Sequence, residues 1–202
     1  THPAWRREPE VTEKVDVPEV TVEAIGPAHA DALLRFFSGL PEGDRTFIKE
    51  DVTDPGNVRS WVEDGTARWA ATGPDGEIDG YVAVRRLSGW SDHVAELRLV
   101  VGGRRRGAGL GRVLARHAVT EAIASGATKL VVEVVAEQGA ALALFTGRGF
   151  RGEALLEDHI RDRSGQLRDL LVLAHRVDAT WSAMDTLGLP EALDGDGAPD
   201  PG

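Results

Sequence analysis

Apolar and polar positions along this chain change period repeatedly, and each change predicts an element. Val20 to Ile25 alternates and predicts a first strand, broken by Gly26-Pro27. Ala30, Leu33, Leu34 and Phe37 fall at helical spacing and predict a helix over His29–Phe37. Gly39 to Glu42 reads as a turn, and Asp44 to Val52 has no decisive period. Asp54-Pro55 predicts a helix start, with Asp54 as N-cap and Pro55 at the first helical position, running to about Glu63. Ala67–Thr72 and Ile78–Leu87 read as two strands joined by the turn Pro74-Asp75-Gly76. A loop over Ser88–Asp92 leads to a further strand, His93–Val101. Residues 108–125 predict a helix ended by Ser125-Gly126, and Lys129–Val135 is β-branched enough for a buried strand. A short helix over Gly139–Thr146 ends at Gly147, and Phe150–His159 and Leu167–Val177 close the series as two strands.

The predicted order is β-α-α-β-β-β-α-β-α-β-β, an α/β fold, with one extra helix. Asp178 is expected to cap that accessory C-terminal helix over 178–189, with Trp181, Met184 and Leu187 on one side. Residues 1–19 carry charges and prolines without a period and read as an arm or tail. Residues 190–202 are rich in Pro, Asp and Gly and are predicted to be disordered. That leaves 20–177 as the single domain.

The chemistry concentrates between Leu97 and Leu114. The run Leu97 to Val101 is followed by Gly102-Gly103-Arg104-Arg105-Arg106-Gly107-Ala108-Gly109-Leu110-Gly111-Arg112 and then by the helix. Glycines let backbone N–H groups approach an anion, and a helix N-terminus adds about half a positive charge at the same place. The segment reads as a phosphate site, with pyrophosphate the favoured ligand. Its spacing is neither G-x-G-x-x-G, because the sixth position of the motif started at Gly107 is Arg112, nor a P-loop, because no Gly-Lys pair is present. A plain strand-to-helix turn with solvated arginines is the simpler alternative.

Composition narrows the classes. The chain has 202 residues, 42% of them hydrophobic, which is enough for one sizeable core. There is no cysteine, which excludes disulfides, thiolate metal sites and a cysteine acyl-enzyme. The net charge of −10 disfavours nucleic acid as a partner and suits a cationic substrate such as an amine. No apolar run is long enough to span a bilayer, and Thr1–Val20 has no signal-peptide pattern, although the missing initiator Met leaves a removed leader open. No two of His2, His29, His93, His117, His159 and His175 stand at metal-ligand spacing, so no metal is expected.

The loop Arg106-Gly107-Ala108-Gly109-Leu110-Gly111, directly after a strand, resembles the acyl-CoA pyrophosphate loop of the GNAT N-acetyltransferase superfamily. Two further features agree. Gln138-Gly139-Ala140-Ala141-Leu142-Ala143-Leu144-Phe145-Thr146-Gly147-Arg148-Gly149-Phe150 is similar to the family's Asn-x-x-Ala-x-x-Leu-Tyr-x-x-x-Gly-Phe segment, and Val94-Ala95-Glu96-Leu97 precedes the loop at the family's interval. The resemblance covers about residues 20–177. It implies the GNAT fold: a central mixed, mostly antiparallel sheet of about six to seven strands flanked by helices. It also implies transfer of an acetyl group from acetyl-CoA to a primary amine on a small molecule or on a protein lysine or N-terminus. A cytoplasmic location would follow from the cofactor and from the absence of export signals, and a homodimer is open.

Under this resemblance Glu96 is the candidate general base, with a pKa expected to rise through burial, and Glu133 is the reserve. The competing role for Glu96 is an ion pair with Arg98, two residues on and on the same strand face. Backbone groups around Leu99, Val100 and Val101 would hold the pantetheine and polarise the thioester. Gly107, Ala108, Gly109, Leu110 and Gly111 would cradle the pyrophosphate. Arg106 fills the family's Arg/Gln position, and Arg104, Arg105 and Arg112 either contact phosphate or are solvated. Gln138 would offer CoA an amide. Phe145 stands on the donor path where many members have a tyrosine that protonates the sulfur. Phenylalanine cannot do that, and Tyr81, the only tyrosine, is on an earlier strand. This departure supports an alternative: an acyl-CoA-binding sensor or regulatory protein with weak or no catalysis. A third reading is an interaction protein whose last helix docks a partner or a second copy. His159 is a minor candidate for substrate contact. Trp61 and Trp69 read as core, and Trp90 as either groove lining or loop. The segment 29–63 and the hairpin near 160 are expected to shape acceptor choice.

Overall fold

The computed structural model describes residues 20–46, 48–63 and 65–177. The expected arm at 1–19, helix at 178–189 and tail at 190–202 lie outside the described residues. The elements are β1 (Thr21–Ala24), α1 (Ala30–Ser38), α2 (Glu42–Thr46), α3 (Pro55–Glu63), β2 (Arg68–Thr72), β3 (Ile78–Arg86), β4 (Val94–Val101), α4 (Leu110–Ala124), β5 (Lys129–Val135), α5 (Gly139–Thr146), β6 (Arg151–Arg161) and β7 (Leu167–Arg176). Short 3-10 turns precede α1, β4 and the glycine loop. The predicted order holds. The addition is α2, whose five residues begin at Glu42 in the expected turn and run into the stretch without a clear period.

One seven-stranded sheet runs in the order β1-β2-β3-β4-β5-β7-β6. Every neighbouring pair is antiparallel except β4 and β5. Alternation along the strands sends side chains to two cores. On one face Leu97, Val82, Leu130 and Val132 meet Leu110, Leu114, Ala118, Val119 and Ala122 of α4, with Phe145 and Phe150 beside them. On the other face Tyr81, Ala83 and Ala70 meet Leu33 and Phe37 of α1 and Val58, Trp61 and Val62 of α3. Leu110 and Leu114 are fully buried, which favours folding by about 2 kcal/mol each.

Local chemistry explains the boundaries. The Asp54 carboxylate accepts the Gly56 N–H at 2.8 Å and caps α3, as its sequence predicts. The end of α4 is a Schellman motif: the Gly126 N–H donates to the Ile123 carbonyl at 2.8 Å and the Ala127 N–H to the Ala122 carbonyl at 3.0 Å. Gly126 supplies the positive φ of 88° that the motif needs. At Gly80 a side chain would place Cβ 2.6 Å from Leu114 Cδ1, so α4 lies close on β3 because that position is bare.

Candidate active site

The site forms where β4 and β5 stop pairing. Their parallel ladder pairs Val94 with Lys129, Ala95 with Leu130 and Glu96 with Val131, and there it ends, although β4 continues to Val101 and β5 to Val135. The Gly102 N–H donates to the Asp79 carbonyl of β3 at 2.8 Å. Antiparallel alternation then turns the backbone groups of Val100 and Arg98 toward β3, and those of Leu99 and Val101 toward β5, beyond the end of its ladder. Leu99 and Val101 therefore present to the parting peptide groups that have no β5 ladder partner among the described residues, the Val101 carbonyl meeting only the Arg106 guanidinium at 3.5 Å. Val100, expected to act with them, has its N–H and C=O in the β3 ladder, a correction that follows from the two-residue period.

The glycine loop leads from this parting into α4. Gly107 and Gly109 adopt positive φ values of 75° and 83°, a second reason for glycine beyond access to the amides. Gly109 is the N-cap of α4. Among the described residues the N–H groups of Gly107 and Gly109 meet no backbone acceptor, and Leu110 and Gly111, as the first two helical residues, have none within the helix. Four amides at a helix N-terminus fit a pyrophosphate. Ala108 is tied into the turn, its N–H donating to the Arg105 carbonyl at 3.3 Å.

The arginines divide differently from the sequence expectation. Arg104 Nε donates to Asp79 Oδ1 at 2.5 Å, and Arg105 Nε to Asp79 Oδ2 at 2.8 Å. Asp79 is fully buried in β3. Arg104 also reaches Asp75 at 2.9 Å. Hydrogen bonds that it donates to Asp75 and Asp79 hold the Arg104 guanidinium above its usual pKa. These two arginines are thus not merely solvated; through Asp79 they staple the loop to β3. Arg106 Nη2 donates to Asp44 of α2 at 2.6 Å and lies 3.5 Å from the Val101 carbonyl, on the edge of the parting. Arg112 is exposed at the start of α4, which leaves it available to a ligand.

Glu96, Arg98 and Val100 share the α1/α3 face, and Glu133 projects from β5 on that same side. Arg98 grips Glu96 with two bonds, Nε–Oε1 at 3.0 Å and Nη2–Oε2 at 3.2 Å. Arg98 Nη1 also meets Glu50 at 2.7 Å. Lys49 Nζ lies 2.9 Å from Glu133 Oε2 and 3.6 Å from Glu96 Oε1, bridging the two strands just where they part. Burial pushes the Glu96 carboxyl up, but the Arg98 hydrogen bonds and charge, with Lys49 and Arg85, outweigh it and hold the pKa below the usual value. The expected rise is therefore reversed, and Glu96 is firmly ionised at neutral pH. Glu96 is thus paired with Arg98, as the alternative reading of the sequence expects, and stands at the last rung of the β4–β5 ladder.

The network continues inward. Arg68 donates to the Tyr81 hydroxyl at 2.6 Å and stacks over Trp61 at 4.7 Å from the ring centroid. Burial pushes the Tyr81 phenol up to about 12 against the opposing charge of Arg68. Tyr81 lies on the α1/α3 face, stacked on Trp61. A cavity of about 270 Å³ opens beside Lys49, lined by Arg45 and Ile48 to Thr53 from one side and by Arg161 and Arg163 from the hairpin. Both segments expected to shape acceptor choice meet there.

The remaining candidates are spread out. Phe145 is buried and edge-on to Phe150 at 5.3 Å, so it is a core side chain rather than a surface of the donor path. Gln138 is half-buried at the start of α5. Trp61 is core, Trp69 packs on the α4 core, and Trp90 is 97% exposed. His159 is exposed on β6. Sequence reasoning missed Lys49, Glu50 and Asp79. The first two sit in the aperiodic stretch, where nothing but the scarcity of lysine marks them. Asp79 carried a signal, a lone carboxylate inside an apolar strand. No group of three or more His, Asp or Glu among the described residues is arranged to hold a metal ion, and no described helix is long and apolar enough to cross a membrane.

Comparison with known proteins addresses the family and the fold. Streptothricin acetyltransferase of Streptomyces lavendulae is 30% identical over 122 residues, covering 54% of this chain and 64% of that relative, so the chain spans less than two thirds of the relative's length. The yncA structure from Salmonella typhimurium, described as an acetyltransferase with its cofactor acetyl-CoA, superposes with a TM-score of 0.67 at 20% identity, covering 80% of this chain and 96% of that one. A ribosomal-protein-alanine N-acetyltransferase from Brucella melitensis gives 0.68 at 24% identity, covering 77% and 99%. These structural likenesses establish the fold. The sequence model of the Acetyltransferase (GNAT) family matches residues 32–150, from α1 through the glycine loop to the end of α5, and the chain belongs to that family.

Proposed function

We propose that the protein is an N-acetyltransferase that moves an acetyl group from acetyl-CoA to a primary amine by direct attack, without an acyl-enzyme. The observation that carries this reading is the placement of Glu96 and Glu133 at the β4–β5 parting, beside the peptide groups of Leu99 and Val101. Bound acetyl-CoA supplies an acyl group already activated as a thioester. The amides of Gly107, Gly109, Leu110 and Gly111 hold its pyrophosphate, with Arg106 and Arg112 close by. The backbone of Leu99 and Val101 orients the pantetheine arm and donates to the carbonyl oxygen as charge develops there.

Two carboxylates attract a cationic amine and fix its direction of approach. A lysine-like ammonium has a pKa of roughly 10.4 and must lose a proton before it attacks. Glu96 accepts that proton, and because Arg98 weakens it as a base, a bridging water is the favoured carrier. Phe145 has no hydroxyl and the Tyr81 hydroxyl is buried and accepts from Arg68, so neither is assigned to protonate the sulfur and solvent takes that role.

The test is thiol release from acetyl-CoA with a panel of primary amines. Amine-dependent release is expected, falling by 10²–10⁴-fold in Glu96→Gln while acetyl-CoA affinity stays within a few-fold. Binding without release for any amine would instead support the sensor reading. Full activity in Glu96→Gln would remove that residue from the mechanism.

A further inference from the structure

We propose a second acceptor for the same centre: the ε-amine of Lys49, which the protein acetylates on itself. This rests on the N-acetyltransferase reading above. The chain contains three lysines, Lys14, Lys49 and Lys129. Lys129 is held elsewhere, 2.6 Å from Glu153 between β5 and β6. Lys49 alone of the described lysines reaches the carboxylates at the parting, 2.9 Å from Glu133 and 3.6 Å from Glu96. Its ammonium therefore occupies the position that the reaction requires of an external amine, next to the residue assigned to take the proton. Its side chain is about half exposed, so the amine is also free to turn within the site.

The step balances. The Lys49 ammonium gives one proton to Glu96, directly or through water. The Nζ–C bond forms and the C–S bond breaks. The second proton of the nitrogen passes to the departing sulfur, giving Nε-acetyl-Lys49 and CoA thiol, and Glu96 returns its proton to solvent. No further reagent is needed. The product is neutral and cannot bridge two carboxylates, so Glu96 and Glu133 are then released to an external ammonium. Self-acetylation would thus open the site as well as occupy it.

The test incubates the full chain with isotopically labelled acetyl-CoA and no added amine, followed by peptide mass spectrometry. Label is expected on Lys49, approaching one per chain, at a first-order rate independent of protein concentration and at least tenfold faster than on Lys129. Lys49→Arg should carry no label in that peptide, and Glu96→Gln and Gly109→Asp should both slow it toward the Lys129 rate. Calorimetric titration with acetyl-CoA runs alongside. Binding together with Lys49 labelling no faster than Lys129, or at a rate that rises with protein concentration, overturns self-acetylation and leaves the transferase reading standing. Absence of acetyl-CoA binding overturns both.

Discussion

Replacing Asp79 with asparagine tests how the phosphate loop is held. Asp79 is fully buried, and its two carboxylate oxygens accept from Arg104 at 2.5 Å and Arg105 at 2.8 Å. Its carbonyl accepts the Gly102 N–H, so one residue ties both ends of the turn before Arg106. Asparagine keeps the shape and one acceptor but turns an NH₂ group toward a guanidinium. Removing one side of a buried ion pair costs roughly 3–5 kcal/mol. Here the arginines are 49% and 28% exposed and regain water when released, which lowers the expectation to about 2–3 kcal/mol. For a protein of this size each kcal/mol lowers Tm by about 2–4 °C, so Asp79→Asn should lose about 4–12 °C. Acetyl-CoA affinity should fall as well, because the loop amides are no longer fixed. Scanning calorimetry and isothermal titration read the two effects. A Tm within 1 °C of wild type, with unchanged affinity, would mean that the arginine staple does not organise the loop.

The other predictions concern protons. Arg98→Leu removes the partner that holds Glu96 down, so burial should prevail and the acidic limb of the kcat/KM profile should move to higher pH; an unmoved limb would separate Glu96 from that ionisation. Burial lowers the His117 pKa against the opposing charge of Glu121, and the ring sits edge-on to Trp69 at 4.8 Å. Its folded pKa lies below the unfolded value of about 6.5, so the unfolded state takes the proton first and stability falls as pH drops below that value. His117→Phe should shrink the difference between urea midpoints at pH 7.5 and 5.5, and an unchanged difference would refute the assignment.

Much of this was legible because hydrophobic period follows burial. The strand from Lys129 to Val135 and the helix from Gly139 to Thr146 coincide with the expected bounds, since the first is rich in β-branched residues and each stops at a turn or a glycine. The loop's place between β4 and α4 was legible because its glycines are contiguous with the end of the one and the start of the other. What was hidden depends on distance along the chain. Arg104 and Arg105 find Asp79 from 25 and 26 residues away. Lys49 reaches Glu133 across 84 residues from a stretch without a period. The direction of the Glu96 pKa could not be read from burial alone, because it turns on where those cations sit. Phe145 shows the converse: position in a motif does not say which way a side chain packs, and here it faces Phe150.

The central claim is that the loop at Gly107–Gly111 and the parting of β4 and β5 form a donor site for acetyl-CoA. Isothermal titration of the full chain with acetyl-CoA, repeated on Gly109→Asp, tests it most directly. The substitution puts a carboxylate at the phosphate cradle, on a residue whose φ is 83°. Micromolar binding by the wild type and none by the variant is expected, with the variant's circular dichroism still that of a folded chain. No binding by the wild type, or equal binding by both, would contradict it.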